Sequence, residues 1–146
     1  AEMNVFFPEY RALWVPEMSC HGMHNLYTPR GAQVRDAHAW SACLDEAVQL
    51  FGLESDVLFR SHHWPVWESV NVIDLLEKQR DMYKFIHDQV LRLANQGREP
   101  IEIAEIVQFS LPSVFRTSSH LRETYGTVNH NCKAVYQRYL GWFDGN

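Results

Sequence analysis

Positive charge is what this sequence has too little of. Its 13 Lys and Arg are outnumbered by 18 Asp and Glu, a formal net charge of −5 with histidine neutral. A nucleic-acid surface needs a basic stripe to neutralise phosphates, so the balance argues against one. Cysteine is scarce too. Cys20, Cys43 and Cys132 are odd in number, scattered, and form no CxxC pair. That excludes a disulfide framework and leaves buried or half-buried free thiols as the expectation. No apolar run approaches the roughly 20 residues of a membrane helix. Internal repeats and low-complexity stretches are missing as well.

What is present fits a folded chain. Apolar residues make up 46% and charged residues 21% of 146 positions, enough for one domain with a real core or for pieces of two. The sequence opens at Ala1 straight into a strand-like run, without initiator Met or targeting segment, and stops after an aromatic-rich helix. Both ends are expected to be cuts through a longer protein.

Met3–Phe7 and Ala12–Val15 read as two short apolar strands around a turn at Pro8–Arg11, a hairpin that Pro16 ends. From Val34 to Phe51 apolar residues recur at helical spacing, with Gly52 in the capping position. Val57–Phe59 has the signature of a buried strand. After Pro65 the pattern is helical only. Residues 69–95 form a long amphipathic helix with Val72, Leu76, Tyr83, Ile86, Val90 and Leu93 on one face, interrupted by Gln79, and a second row at Ile73, Met82 and Phe85. At about 1.5 Å per residue it reaches roughly 40 Å, so a partner subunit is expected to cover part of it. Helices follow at Pro100–Phe109, from near Leu111-Pro112, and from Val128 to Phe143 with Trp142 on its apolar face. The fold class is α+β and mostly helical, with a boundary near Pro65.

Three stretches could carry chemistry. Val57–Phe59 runs into Ser61-His62-His63-Trp64-Pro65, and a strand that ends in histidine presents a rigid ligand. Side chains alternate on an extended chain, so one imidazole can face a metal while the other faces elsewhere. Glu17 to Asn25 holds a carboxylate and two imidazoles, His21 and His24, all of types that bind zinc. Thr28-Pro29-Arg30-Gly31 sets an arginine at a loop-to-helix junction, where a guanidinium suits capture of sulfate or phosphate. Taken singly, each also fits an ordinary polar loop or core histidine.

In order along the chain, Ala1-Glu2-Met3-Asn4, His24-Asn25-Leu26, Arg30-Gly31-Ala32-Gln33-Val34-Arg35-Asp36, Ser61-His62-His63-Trp64-Pro65, Leu93-Ala94-Asn95-Gln96-Gly97 and Ala134-Val135-Tyr136-Gln137-Arg138-Tyr139 resemble the alkylsulfatases of the metallo-β-lactamase superfamily. The resemblance covers essentially the whole chain. It departs at Pro16, Met18, Pro29 and Arg116–Glu123, and it implies that the HxHxDH ligand motif precedes Ala1.

The implied architecture is the C-terminal part of an αββα sandwich over 1–66, followed by an all-α dimerisation domain over 67–146. The implied activity is zinc-dependent hydrolysis of primary alkyl sulfates to alcohol and inorganic sulfate, in a bacterial periplasmic or secreted setting. Glu17 matches the glutamate that bridges two zinc ions and His62 a further metal ligand. Arg30 matches the sulfate-binding arginine, with Asn25 beside it, and Tyr125 and His130 reach the pocket from the helical domain. A homodimer through those helices is implied too.

Other readings compete. The segment could be an assembly module alone, or part of a related hydrolase acting on another ester. Residues 101–115 look superficially like a helix-turn-helix, but residues 97–146 balance Arg98, Arg116, Arg122, Lys133 and Arg138 against Glu99, Glu102, Glu105, Glu123 and Asp144. A neutral segment lacks the excess charge that DNA affinity requires.

Overall fold

A computed structural model describes residues 2–141. Strand β1 (Val5–Phe7) and strand β2 (Ala12–Trp14) form the expected hairpin, antiparallel with Phe6 opposite Leu13. Arg11 closes it in a left-handed conformation (φ 46°), and its guanidinium donates to Asp56 at 2.9 Å and to Glu54 at 3.3 Å. Helix α1 (Ala37–Phe51) then crosses back, so strand β3 (Val57–Phe59) lies parallel to β2 with Leu58 opposite Leu13. A parallel neighbour needs such a crossover.

Strand β4 (Val66–Trp67) pairs antiparallel with β3 and completes a four-stranded sheet in the order β1-β2-β3-β4. The chain after Pro65 is therefore not purely helical. Two residues are too few for a periodic signal, and only pairing with β3 makes this segment a strand.

Helix α2 (Ser69–Ala94) spans 26 residues and carries the expected apolar face. Its neighbours are α1, α3 (Pro100–Phe109), a short helix α4 (Ser113–Thr117) and α5 (Val128–Leu140). Leu75 and Met82 are buried in addition to the first face, and α1, α3 and α5 all pack on this one helix. Its length is thus used largely within the chain, which removes helix length as an argument for a partner subunit. The last helix stops at Leu140, and Trp142 lies outside the described residues. One hydrophobic core takes Leu13, Leu44 and Leu58 from before Pro65 together with Leu76, Ile86, Ile103 and Val135 from after it.

All three cysteines are free; Cys20 and Cys132 are buried, whereas Cys43 is exposed on the outer side of α1. Among the described residues no helix is long and apolar enough to cross a membrane.

Candidate functional site

The sheet register builds the site. Beyond their strands, β2 and β3 continue side by side: Val15 donates its N–H to Phe59 O at 3.0 Å, and Ser61 donates to Pro16 O at 3.1 Å. The offset of 45 that pairs Leu13 with Leu58 then sets Glu17 opposite His62, with Oε1 and Nε2 3.3 Å apart. Strand alternation does not part the two histidines, because β3 has ended at Phe59, and both line the same cavity. His63 sits in the left-handed region (φ 67°), and its ring lies edge-on to His21, with centroids 6.1 Å apart.

Glu17, His21, His24, His62, His63 and Tyr125 line a cavity of about 540 Å³. His24 is buried and fixed by its surroundings. Its Nδ1 lies 2.7 Å from the Asn25 carbonyl, which can only accept, so Nδ1 carries the proton and Nε2 the lone pair. Burial lowers the His24 pKa, partly offset by that hydrogen bond. The unprotonated Nε2 therefore faces Glu17 Oε2 at 3.8 Å, acceptor to acceptor. A proton donor or a cation belongs between them.

His21 is pushed down to about 4, first by burial and then by Arg60, His120 and His63. It stacks between Trp64 and His120, with centroids at 4.7 and 5.5 Å. Burial pushes the neighbouring Cys20 thiol up to about 11, so it is a protonated packing residue at neutral pH.

Glu17 and His62 are oxygen and nitrogen donors of the type zinc takes, and the Glu17–His24 gap is of a kind that a cation fills. The two imidazoles approach opposite oxygens of Glu17 and do not close on one point. Among the described residues no group of three or more His, Cys, Asp or Glu side chains is arranged to hold a metal ion by itself. Glu17 and His62 thus fit zinc by donor type, and the described residues do not compose a complete zinc site by themselves.

The remaining residues singled out from sequence are placed as follows. Tyr125 lines the cavity and meets the His24 ring edge-on at 4.9 Å. Asn25 is buried, and its Oδ1 accepts from Arg35 at 3.1 Å and from Thr28 at 3.3 Å. His130 Nε2 lies 2.7 Å from Tyr27 O, outside the cavity wall. Arg30 sits on an exposed turn ahead of Gly31 (φ 82°) and is not among the lining residues. Its side chain has no hydrogen-bond partner among the described residues.

Four residues that the sequence did not mark as part of the site hold the strip from Gly22 to Tyr27 in place. Tyr83 accepts the His24 N–H at 3.1 Å, and Gln79 donates to Gly22 O at 3.2 Å. Asn131 accepts from Leu26 N–H at 2.8 Å and donates to His24 O at 3.0 Å. Gly126 donates to Met23 O at 2.8 Å.

Residues 99–146 match a family model described as alkyl sulfatase dimerisation. All 146 residues align at 49% identity with an alkyl/aryl-sulfatase of Saccharomyces cerevisiae, covering 22% of that protein. A linear primary-alkylsulfatase of Pseudomonas is also 49% identical over the full chain, which covers 21% of it. Among solved structures, a stereoselective inverting sec-alkylsulfatase from Pseudomonas superposes with a TM-score of 0.94 at 43% identity, covering 99% of this chain and 23% of that one. The chain spans about a fifth of the length of these relatives.

Proposed function

We propose that this chain, alkylsulfatase-like along its whole length, is a segment of a zinc-dependent enzyme that hydrolyses primary alkyl sulfates to alcohol and inorganic sulfate. The observation that carries this reading is the approach of Glu17 and His62 across one cavity wall, 45 residues apart in sequence. In that reading residues 1–66 belong to the catalytic αββα sandwich and 67–146 to a helical dimerisation domain. The division rests on the resemblance, since β4 spans Val66–Trp67 and residues on both sides of it share one hydrophobic core.

Glu17 would hold a metal through each of its oxygens and His62 through Nε2. Zinc bound there supplies water of lowered pKa, a nucleophile near neutral pH. Arg30 is assigned the sulfate by the family resemblance alone, since it sits on an exposed turn outside the cavity lining; its guanidinium would offset the sulfate charge. The free Nε2 of His24 faces the same space and can take up a proton. The primary ester comes from the family resemblance; the identities do not rank the two substrates, since one primary-alkylsulfatase is 49% identical, an (R)-specific secondary-alkylsulfatase 43% and a second primary-alkylsulfatase 36%.

A homodimer through the helical half goes with this reading. It is supported by the dimerisation description of residues 99–146 and by large apolar side chains left exposed within them, Phe109 at 88% and Ile101 at 63%.

The test uses the full-length protein. Dodecyl sulfate is expected to be hydrolysed, whereas a secondary alkyl sulfate, a phosphate ester and a lactam are turned over far more slowly or not at all. His62→Ala is expected to lose one of two zinc ions per subunit and His63→Ala to keep both. No turnover of the sulfate ends the assignment.

A further inference from the structure

Six consecutive residues, Gly22 to Tyr27, run beside the cavity without belonging to a helix or a strand. Irregular backbone of this kind, largely buried, must have its polar groups satisfied from elsewhere. Six of these groups find partners in one distant stretch, residues 120–131. Gly22 N–H donates to His120 O at 3.2 Å, and Met23 N–H to Arg122 O at 2.8 Å. Met23 O accepts from Gly126 at 2.8 Å, and Tyr27 O lies 2.7 Å from His130 Nε2. Asn131 takes two more, His24 O and Leu26 N–H, while Tyr83, Gln79 and Arg35 serve His24 N–H, Gly22 O and Leu26 O. Asn131 is 0% exposed, and only one orientation of its amide serves an N–H and a carbonyl at once.

We propose that Asn131 is a positioning residue for His24. The stretch that matches a dimerisation family would then have a second task, which is to fix the site strip so that the His24 imidazole faces Glu17. This rests on the reading of the Glu17 cavity as the sulfatase site. Asn131 reaches no reacting atom. It acts through the peptide groups on either side of Asn25, from the first turn of α5. Close contact reinforces the clamp: a side chain at Gly126 would come within 2.6 Å of His24 and Asn25 backbone atoms.

The experiment compares wild type, Asn131→Ala and Asn131→Asp in the full-length protein. Aspartate keeps the acceptor for Leu26 N–H but sets an oxygen against His24 O. With zinc content per subunit unchanged, kcat for dodecyl sulfate is expected to fall roughly tenfold to a hundredfold, as misplacement of a site group by about 1 Å does. KM should change less, and amide exchange at His24 and Leu26 should quicken while α2 stays protected. Folded variants with wild-type kcat and unchanged exchange at these amides would overturn the proposal. Should both fail to fold, Thr127→Ala is the milder variant. It removes the hydroxyl that accepts from His130 N–H at 3.0 Å and loosens the turn that carries Asn131, with the same two outcomes. A zinc-loaded wild type without sulfatase activity would instead remove the reading on which this rests.

Discussion

The phenol of Tyr83, in the middle of α2, accepts the backbone N–H of His24 at 3.1 Å across 59 residues of sequence. Tyr83 is 1% exposed, and its ring stacks on Trp40 with centroids 4.9 Å apart. Burial raises its pKa, so it remains a neutral phenol. Tyr83→Phe keeps the ring and its stacking but strands a buried N–H. The expected loss is about 1–3 kcal/mol, the cost of an unsatisfied buried donor. Urea unfolding of the full-length protein measures it. An unchanged midpoint would show that the hydrogen bond contributes nothing.

Gly126 has no room for a side chain. A Cβ there would lie 2.5 Å from His24 C and 2.6 Å from Asn25 N, both backbone atoms that cannot swing aside. Overpacking of this kind costs about 1–3 kcal/mol or more, in contrast with the small gain that alanine brings at an open glycine. Gly126→Ala is expected to destabilise, with Gly97→Ala as the comparison. Gly97 has open space around it but a left-handed φ of 78°, so its cost is backbone strain alone. Equal losses at the two positions would contradict the steric account.

Much of the frame was legible in the sequence because it is local. Apolar triplets bounded by Pro8, Pro16 and Gly52 mark the strands and α1, and the 3.6-residue period marks α2 almost to the residue. Proline at the first turn marks α3. The pairing of Glu17 with His62 was not local. It follows from the parallel register of β2 and β3, which no pattern within either strand records, and it came from family resemblance instead. Gln79 looked like a flaw in the apolar seam of α2. In the structure it is 1% exposed and donates to the backbone carbonyls of Gly22, in the site strip, and His120, which faces it. Asn131 was silent for the same reason, since a polar residue on a helix gains meaning only from what faces it. Arg30 shows the converse: its motif is plain, yet it sits on an exposed turn and is not part of the cavity lining.

Asp36 caps α1 and also ties it to α5. Its carboxylate accepts the Ala39 N–H at 2.9 Å and the Arg138 guanidinium at 2.8 Å. Both contacts hold its pKa below the ordinary value despite partial burial. Asp36→Ala is expected to cost about 1 kcal/mol for the cap, up to about 2. The half-exposed ion pair adds up to about 1 more. Asp36→Asn keeps a capping oxygen and loses only the charge, so it should recover most of the loss. A full-sized loss in Asp36→Asn would assign the effect to the ion pair and refute the capping argument.

The last expectation concerns acid. His21 is held at about 4 against an ordinary value of 6.5, chiefly because burial between Trp64 and His120 disfavours its charged form. Burial also lowers His120, partly offset by Asp74 at 3.6 Å. The unfolded chain therefore binds protons below pH 6.5 that the folded chain refuses, and the stabilising contribution is complete only above that value. As pH falls from 6.5 toward 4 the contribution is lost, and the upper part of this window lies above the range where most carboxylates titrate. The urea midpoint of wild type should decline steadily between pH 7 and 5. His21→Phe preserves a flat ring for Trp64 and His120 to stack on and has nothing to protonate, so its decline over the same interval should be shallower. Parallel curves for the two proteins would place the acid sensitivity elsewhere.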